Sequence, residues 1–350
     1  MIYLAIFNSL IFLRYLNYRN SYFYIIIGLF LFTAFRFEVG CDWSGYLNQF
    51  NVYNGIGFGD LAEYREPIWI GLFAIQHWFE LPYPWINVFS AAIFFFGVHV
   101  LARRQQDPLG FLILLFPILI VNMPMSGIRQ GAAIGLMCIA FSEFINKSFI
   151  RFMFITLLAS ALHSSAIVFV FFAPFVTGEY DWRRIVLATI LAVPGMYIIY
   201  SGSDAELARA RYVDTAVDAA GGLFRVALIA FSGILFLLVF RGEWKRRFRY
   251  DYKFVHLSSF AMISLLPLVA MSSVIGDRLG YYFIPIQTMI LSRITYLNLG
   301  ALKQVYVVAP YVVLIGFFLI WILMSPIFEQ CYTPYRSWLF GYPEMSKYFY

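Results

Sequence analysis

PLGFLILLFPILIVNMPMSGIRQGAAIGLMCIAFS, residues 108–142, carries one charged side chain, Arg129, between Asp107 and Glu143. A helix needs about 20 mainly apolar residues to cross a bilayer. The stretch therefore reads as two crossings joined near Asn122–Gly127. Pro124 ends the first helix and Ser126-Gly127 can open the second, which puts Arg129 in the second helix's first turn. There the free backbone N–H groups and the positive end of the helix dipole add to the guanidinium. An arginine near the bilayer core costs about 2.5–3.5 kcal/mol on insertion scales, so such residues usually face a water-filled cavity or an anion. A snorkelling arginine that only marks an interface is the other reading. The remaining polar positions bear on that choice.

The rest of the chain has the same character. It is 62% hydrophobic and 13% charged, with aromatics at 21% and a mean hydropathy of +0.76. No soluble domain hides that much apolar surface. The expected fold is an all-α polytopic membrane protein of about 11–13 transmembrane helices, one integral membrane domain over residues 1–350 with no soluble domain. Candidate spans are 2–16, 22–37, 84–102, 108–124, 127–145, 149–162, 163–176, 183–201, 222–241, 254–275, 279–298 and 304–324. The first reads as a retained helix, since it lacks a basic n-region and a cleavage site.

Basic clusters fall in alternate loops, and placing those loops in the cytoplasm puts both termini outside. The net charge of +6 is thus a topology signal and gives no ground for a nucleic-acid partner. Glu66–Glu80 (EPIWIGLFAIQHWFE) is too short for an upright span and reads as a re-entrant or interfacial helix. Residues 149–176 have basic clusters at both ends, so the chain must enter and return there, as two short helices meeting near Leu162-His163-Ser164. Segments 38–66, 202–221 and 325–350 remain on the outer side. Cys138 reads as packing. Cys41 and Cys331 fall on the outer side, where a disulfide can form, and whether they pair stays open.

On this topology the isolated polar groups share one side. Arg36, Arg129, Arg278 and Arg336 sit at outer helix ends, and His163 is the sole titratable side chain between Arg151 and Glu179. Guanidinium forks bind phosphate oxygens bidentately, so four of them suit a polyanionic ligand such as a lipid diphosphate. Each has a plainer reading: Arg36 snorkels, Asp277-Arg278 is a self-satisfied turn pair, and His163 bonds a neighbouring carbonyl. Likewise Asp42 with Trp43 and Tyr46 orders a loop, and Glu66 before Pro67 starts a helix. There is no Walker loop, HExxH motif or carboxylate cluster, so ATP-driven transport and metalloprotease chemistry have no support.

In order along the chain stand Arg36-x-x-Val-Gly-x-Asp42-x-x-x-Tyr46, Glu66-Pro67, Gly127-Ile-Arg129-Gln130-Gly-Ala132, Ala159-Ser-Ala-Leu-His163-Ser-Ser165, Asp277-Arg278-x-x-Tyr281-Tyr282 and Tyr332-x-Pro-Tyr-Arg336. This ordered set resembles the EpsG-type branch of the Wzy polysaccharide repeat-unit polymerases. It departs from the pattern at Cys41, where a small polar residue is more usual. The resemblance implies a bacterial inner-membrane glycosyltransferase of GT-C-like architecture, with its active site facing the periplasm. Its reaction would move a growing glycan from undecaprenyl diphosphate to the non-reducing end of an incoming lipid-linked repeat unit. It implies no cofactor and no metal. The partners would be the lipid-linked oligosaccharide, membrane lipid and a polysaccharide co-polymerase that regulates chain length.

For that reaction Arg129 and Arg278 are the first diphosphate ligands, with Arg36 and Arg336 behind them. His163 is the first choice of base for the acceptor hydroxyl, since its ordinary pKa of about 6.5 lies near working pH. Asp42 comes second and Glu66 third. Trp43 and Tyr46 can stack on sugar faces, and Gln130, Asp277 and Tyr281 of the matching motifs are further sugar contacts. A flippase for the same lipid-linked sugar and a ligase or acyltransferase of the same compartment are the alternatives. Against the flippase, only one broken helix pair stands in the sequence, and transporters usually carry two.

Overall fold

The computed structural model describes residues 2–16, 21–201 and 221–344. The expected outer segment 202–221 lies outside the described residues except for Gly221. The described chain is all helix and connection; the one strand-like pairing is a bridge between Arg36 and Ser337. The helices are α1 Ile2–Tyr15, α2 Tyr22–Ala34, α3 Trp43–Val52, α4 Pro67–Trp78, α5 Trp85–Ala102, α6 Pro108–Leu115 and α7 Ile128–Ile145. They continue as α8 Phe149–Leu162, α9 Trp182–Ser201, α10 Gly222–Leu235, α11 Arg241–Arg247, α12 Arg249–Met271, α13 Ser273–Ser292, α14 Lys303–Met324 and α15 Pro326–Tyr332. Among the described residues five helices are long and apolar enough to cross a membrane, and five shorter ones are mainly apolar. This is a polytopic α-helical membrane protein.

The chain groups into two compact units. The first holds residues 1–136, 161–163 and 309–350, and the second holds residues 137–160 and 164–308.

In the first unit α6 runs on through a π-helical turn, Phe116–Ile120, that contains Pro117. The proline has no N–H to give the ladder, and the wider turn absorbs the gap. Helices α5 and α7 meet backbone to backbone: a Cβ on Gly97 would lie 1.7 Å from the Gly135 carbonyl oxygen. Only small residues allow that approach. The tail after α14 is tied to the loop after α2. Cys41 and Cys331 form a disulfide, which settles the pairing left open above. The Phe37 N–H donates to the Arg336 carbonyl (2.9 Å), and the Trp338 N–H to that of Phe35 (2.9 Å). Gly40, at φ +104°, fits against the Met125 carbonyl, where a Cβ would stand 1.8 Å from the oxygen. The loop is thereby clamped beside the start of α7.

Helix α4 has 12 residues, about 18 Å at 1.5 Å per residue, against a hydrocarbon core of about 30 Å. It is too short to cross upright, as expected. Helix α8 ends at Leu162, His163 stands alone, and a 3₁₀ helix follows over Ser164–Phe175. The broken pair expected at 149–176 is present.

In the second unit one boundary differs from expectation. The break between α12 and α13 falls at Ser272, whose extended backbone (φ −155°) and hydroxyl cap α13 at the Ile275 N–H. Gly276, which lies between the expected spans 254–275 and 279–298, is a packing glycine inside α13: its Cβ would lie 2.6 Å from that of Val269. Asp277-Arg278 therefore lie inside a helix.

Candidate active site

The first unit gathers three of the singled-out residues. Glu66 precedes Pro67, and a residue before proline is pushed out of the helical region; its φ is −123°. It is the N-cap of α4, as the helix-start reading has it, but its carboxylate makes no cap bond to that helix and is turned to other partners. One oxygen, Oε2, accepts from Arg129 Nη1 at 2.6 Å. The other, Oε1, lies 3.0 Å from His163 Nδ1. Glu66 is 7% exposed and His163 9%. Arg129 reaches the carboxylate from the first turn of α7, as its position after Gly127 predicts. A carboxylate at 3.0 Å accepts the Nδ1 hydrogen, which puts the imidazole lone pair on Nε2. The cluster is a guanidinium and an imidazole sharing one buried carboxylate.

Tyr46 joins it from α3. Burial, and then the charge of Asp42, push the Tyr46 hydroxyl up to about 12; the Arg129 charge and a hydrogen bond with the Arg129 backbone act the other way. Its ring lies edge-on to Trp69 at 5.4 Å, and Tyr46 supports the start of α7. Trp43 is packed in the same way. It is 4% exposed, with its ring against Tyr83 and Phe37 and its carbonyl accepting from the Tyr83 hydroxyl at 2.8 Å. Neither ring has a face to offer. Asp42 is exposed at the start of α3. Gln130, next to Arg129 in α7, is buried.

Besides Arg129, two more of the four arginines find protein partners in this unit. Arg36 is 1% exposed. Its guanidinium donates to the Val39 carbonyl (2.9 Å), the Thr33 carbonyl (2.9 Å) and Asn87 Oδ1 (2.8 Å). It closes the end of α2 and is withdrawn as a diphosphate ligand. Arg336 pairs with Glu38, so it too holds the loop and the tail together.

In the second unit Asp277 does not pair with its neighbour Arg278. Arg225, near the start of α10, takes both carboxylate oxygens, Nε to Oδ1 at 2.8 Å and Nη2 to Oδ2 at 2.7 Å. The Arg225 guanidinium also lies over the Tyr281 ring at 5.3 Å. Asp277 and Tyr281, expected as sugar contacts, are buried around Arg225. Arg278 is exposed on α13. Sequence reasoning missed Arg225, Asn87 and Glu38. Among the described residues no three His, Cys, Asp or Glu side chains gather as a metal site.

Fold and cluster together define a polytopic helical membrane protein with a buried ionisable site. The EpsG family model matches residues 2–337, and the chain belongs to that family. No curated protein and no solved structure matches it significantly. Family membership suggests a polysaccharide polymerase, glycosyltransferase-like at a coarse level, with a lipid-linked polysaccharide substrate.

Proposed function

We propose that the chain transfers a growing glycan from undecaprenyl diphosphate to a hydroxyl at the non-reducing end of an incoming lipid-linked repeat unit. The observation that carries this is the Arg129–Glu66–His163 cluster. Glycosyl transfer from a lipid diphosphate needs a base for the acceptor hydroxyl and positive charge for the departing diphosphate. His163 Nε2 takes the acceptor proton as the new C–O bond forms at the donor's anomeric carbon and the bond to the diphosphate oxygen breaks. Glu66 holds the imidazole in that tautomer and stabilises the imidazolium. Arg129, with the N-terminal dipole of α7, stabilises the charge that develops on the diphosphate.

The Cys41–Cys331 disulfide supports a periplasmic site, since disulfides persist in oxidising compartments and this one ties the loop beside α7. A co-polymerase remains the expected partner for chain length, in a bacterial inner membrane. The test is a surface-glycan gel from a deletion strain complemented with wild type, Arg129→Ala or His163→Ala, with membrane levels matched by blot. A single-repeat band in the deletion, restored to a ladder by wild type alone, supports the proposal. Intact but unattached polymer in the deletion would mean a ligase, and absence of any glycan outside would mean a flippase. A ladder restored by both variants would remove these residues from the chemistry.

A further inference from the structure

The longest candidate span in the second unit ends in a group of cations for which the described residues supply no free carboxylate. Residues Gly222–Arg247 form 26 continuous helical residues, within which an 18-residue stretch has a mean hydropathy of 2.5. They end in Arg241-Gly-Glu-Trp-Lys-Arg-Arg247, followed by Arg249. The buried face of this end is fixed. Trp244 is fully buried, and the Arg293 guanidinium lies over both its ring (5.5 Å) and that of Phe248 (5.0 Å). Both nearby acids are already taken: Asp251 by Arg293 and Glu243 by Arg246.

Arg241, Lys245, Arg247 and Arg249 are exposed. Arg241 and Lys245 are four residues apart on one helix, so they share a face and repel each other. They are nevertheless held together on Tyr252. Arg241 Nε donates to its hydroxyl at 3.0 Å, and Lys245 Nζ lies 5.8 Å from its ring centroid. Tyr250, 78% exposed, and Leu238, 80% exposed, flank the cations with aromatic and aliphatic surface. A like-charged pair seated on a tyrosine, at the end of a membrane-length helix, meets a phosphate at the depth where headgroups lie.

We infer that Arg241 and Lys245, with Arg247 and Arg249 beside them, form a binding site for the headgroup phosphate of an anionic phospholipid. Tyr252 fixes the two cations, and the apolar flank of α10 receives the acyl chains. This site does not depend on the polymerase reading. A surface cation of this kind contributes about 1 kcal/mol to anionic-lipid binding, which is about a five-fold preference.

The test uses the full chain in nanodiscs of phosphatidylcholine mixed with phosphatidylglycerol, followed by mild delipidation and native mass spectrometry of the retained lipid. Wild type is expected to retain phosphatidylglycerol at least five-fold above its share of the mixture, with the enrichment falling as salt rises. Arg241→Gln with Lys245→Gln should bring retention to the composition of the disc. Arg151→Gln, which removes a cation whose side chain is 73% exposed at the start of another helix, should leave it unchanged. If the double variant does not fold, the salt series on wild type decides. No enrichment in wild type, enrichment that survives the double substitution or high salt, or equal loss in Arg151→Gln would overturn the proposal. Displacement of the lipid by millimolar inorganic phosphate would also overturn it, because the site would then take a free anion.

Discussion

Glu66 and Asp277 are both buried carboxylates facing an arginine near a helix start, and they differ in how their oxygens are used. Asp277 gives both to Arg225 in a two-point clasp. Glu66 divides its pair, one oxygen to Arg129 and one to His163. A two-point clasp commits both carboxylate oxygens to one guanidinium. A divided carboxylate holds the imidazole in a set tautomer beside a fixed cation. In the proposed reading the first arrangement is a structural lock and the second belongs to the reaction. Arg36 extends the comparison, because its three protein acceptors are neutral oxygens and it, too, serves the frame.

Substitutions can break this comparison. The largest effect is expected for Glu66→Ala, which removes the orientation of His163 and the partner of Arg129 together. Polymer formation should fall about 10²-fold or more, measured as chain length and yield at matched membrane levels. Asp277→Asn should act on stability instead. Removing one partner of a buried pair costs about 3–5 kcal/mol, read as a lower thermal midpoint, with activity per folded molecule kept. Cys41→Ser should cost about 2–5 kcal/mol by releasing the tail, and non-reducing gels should show the lost cross-link as a mobility shift. The smallest effect is expected for Tyr46→Phe. It removes one hydrogen bond at the start of α7, about 1 kcal/mol, and should lower turnover modestly while leaving Glu66 and His163 in place.

Much of the working site was legible because its residues are exceptions in apolar sequence. Arg129 and His163 stand alone in long uncharged runs, and the break at His163 follows from basic clusters on both sides of a stretch too short for two full spans. Glu66 ranked last among the bases because a carboxylate before proline reads as a helix start. Its partners lie 63 and 97 residues away, beyond any local pattern. Asp277-Arg278 misled for a geometric reason. Adjacent residues on a helix do not face each other, and only the position of the break at Ser272, four residues earlier than Gly276, shows that these two lie on a helix. Trp43 and Tyr46 looked like sugar platforms because exposure cannot be read from an aromatic loop sequence, and both are buried.

The central claim is that the divided carboxylate is catalytic machinery and the clasped one is not. The most direct test is the transfer rate of purified, reconstituted protein on a lipid-linked oligosaccharide, for His163→Ala and Asp277→Asn, each normalised to its folded fraction. The account predicts a loss of about 10²–10⁴-fold for His163→Ala and a rate within about three-fold of wild type for Asp277→Asn. Equal losses in the two variants, or a His163→Ala rate close to wild type, would contradict it.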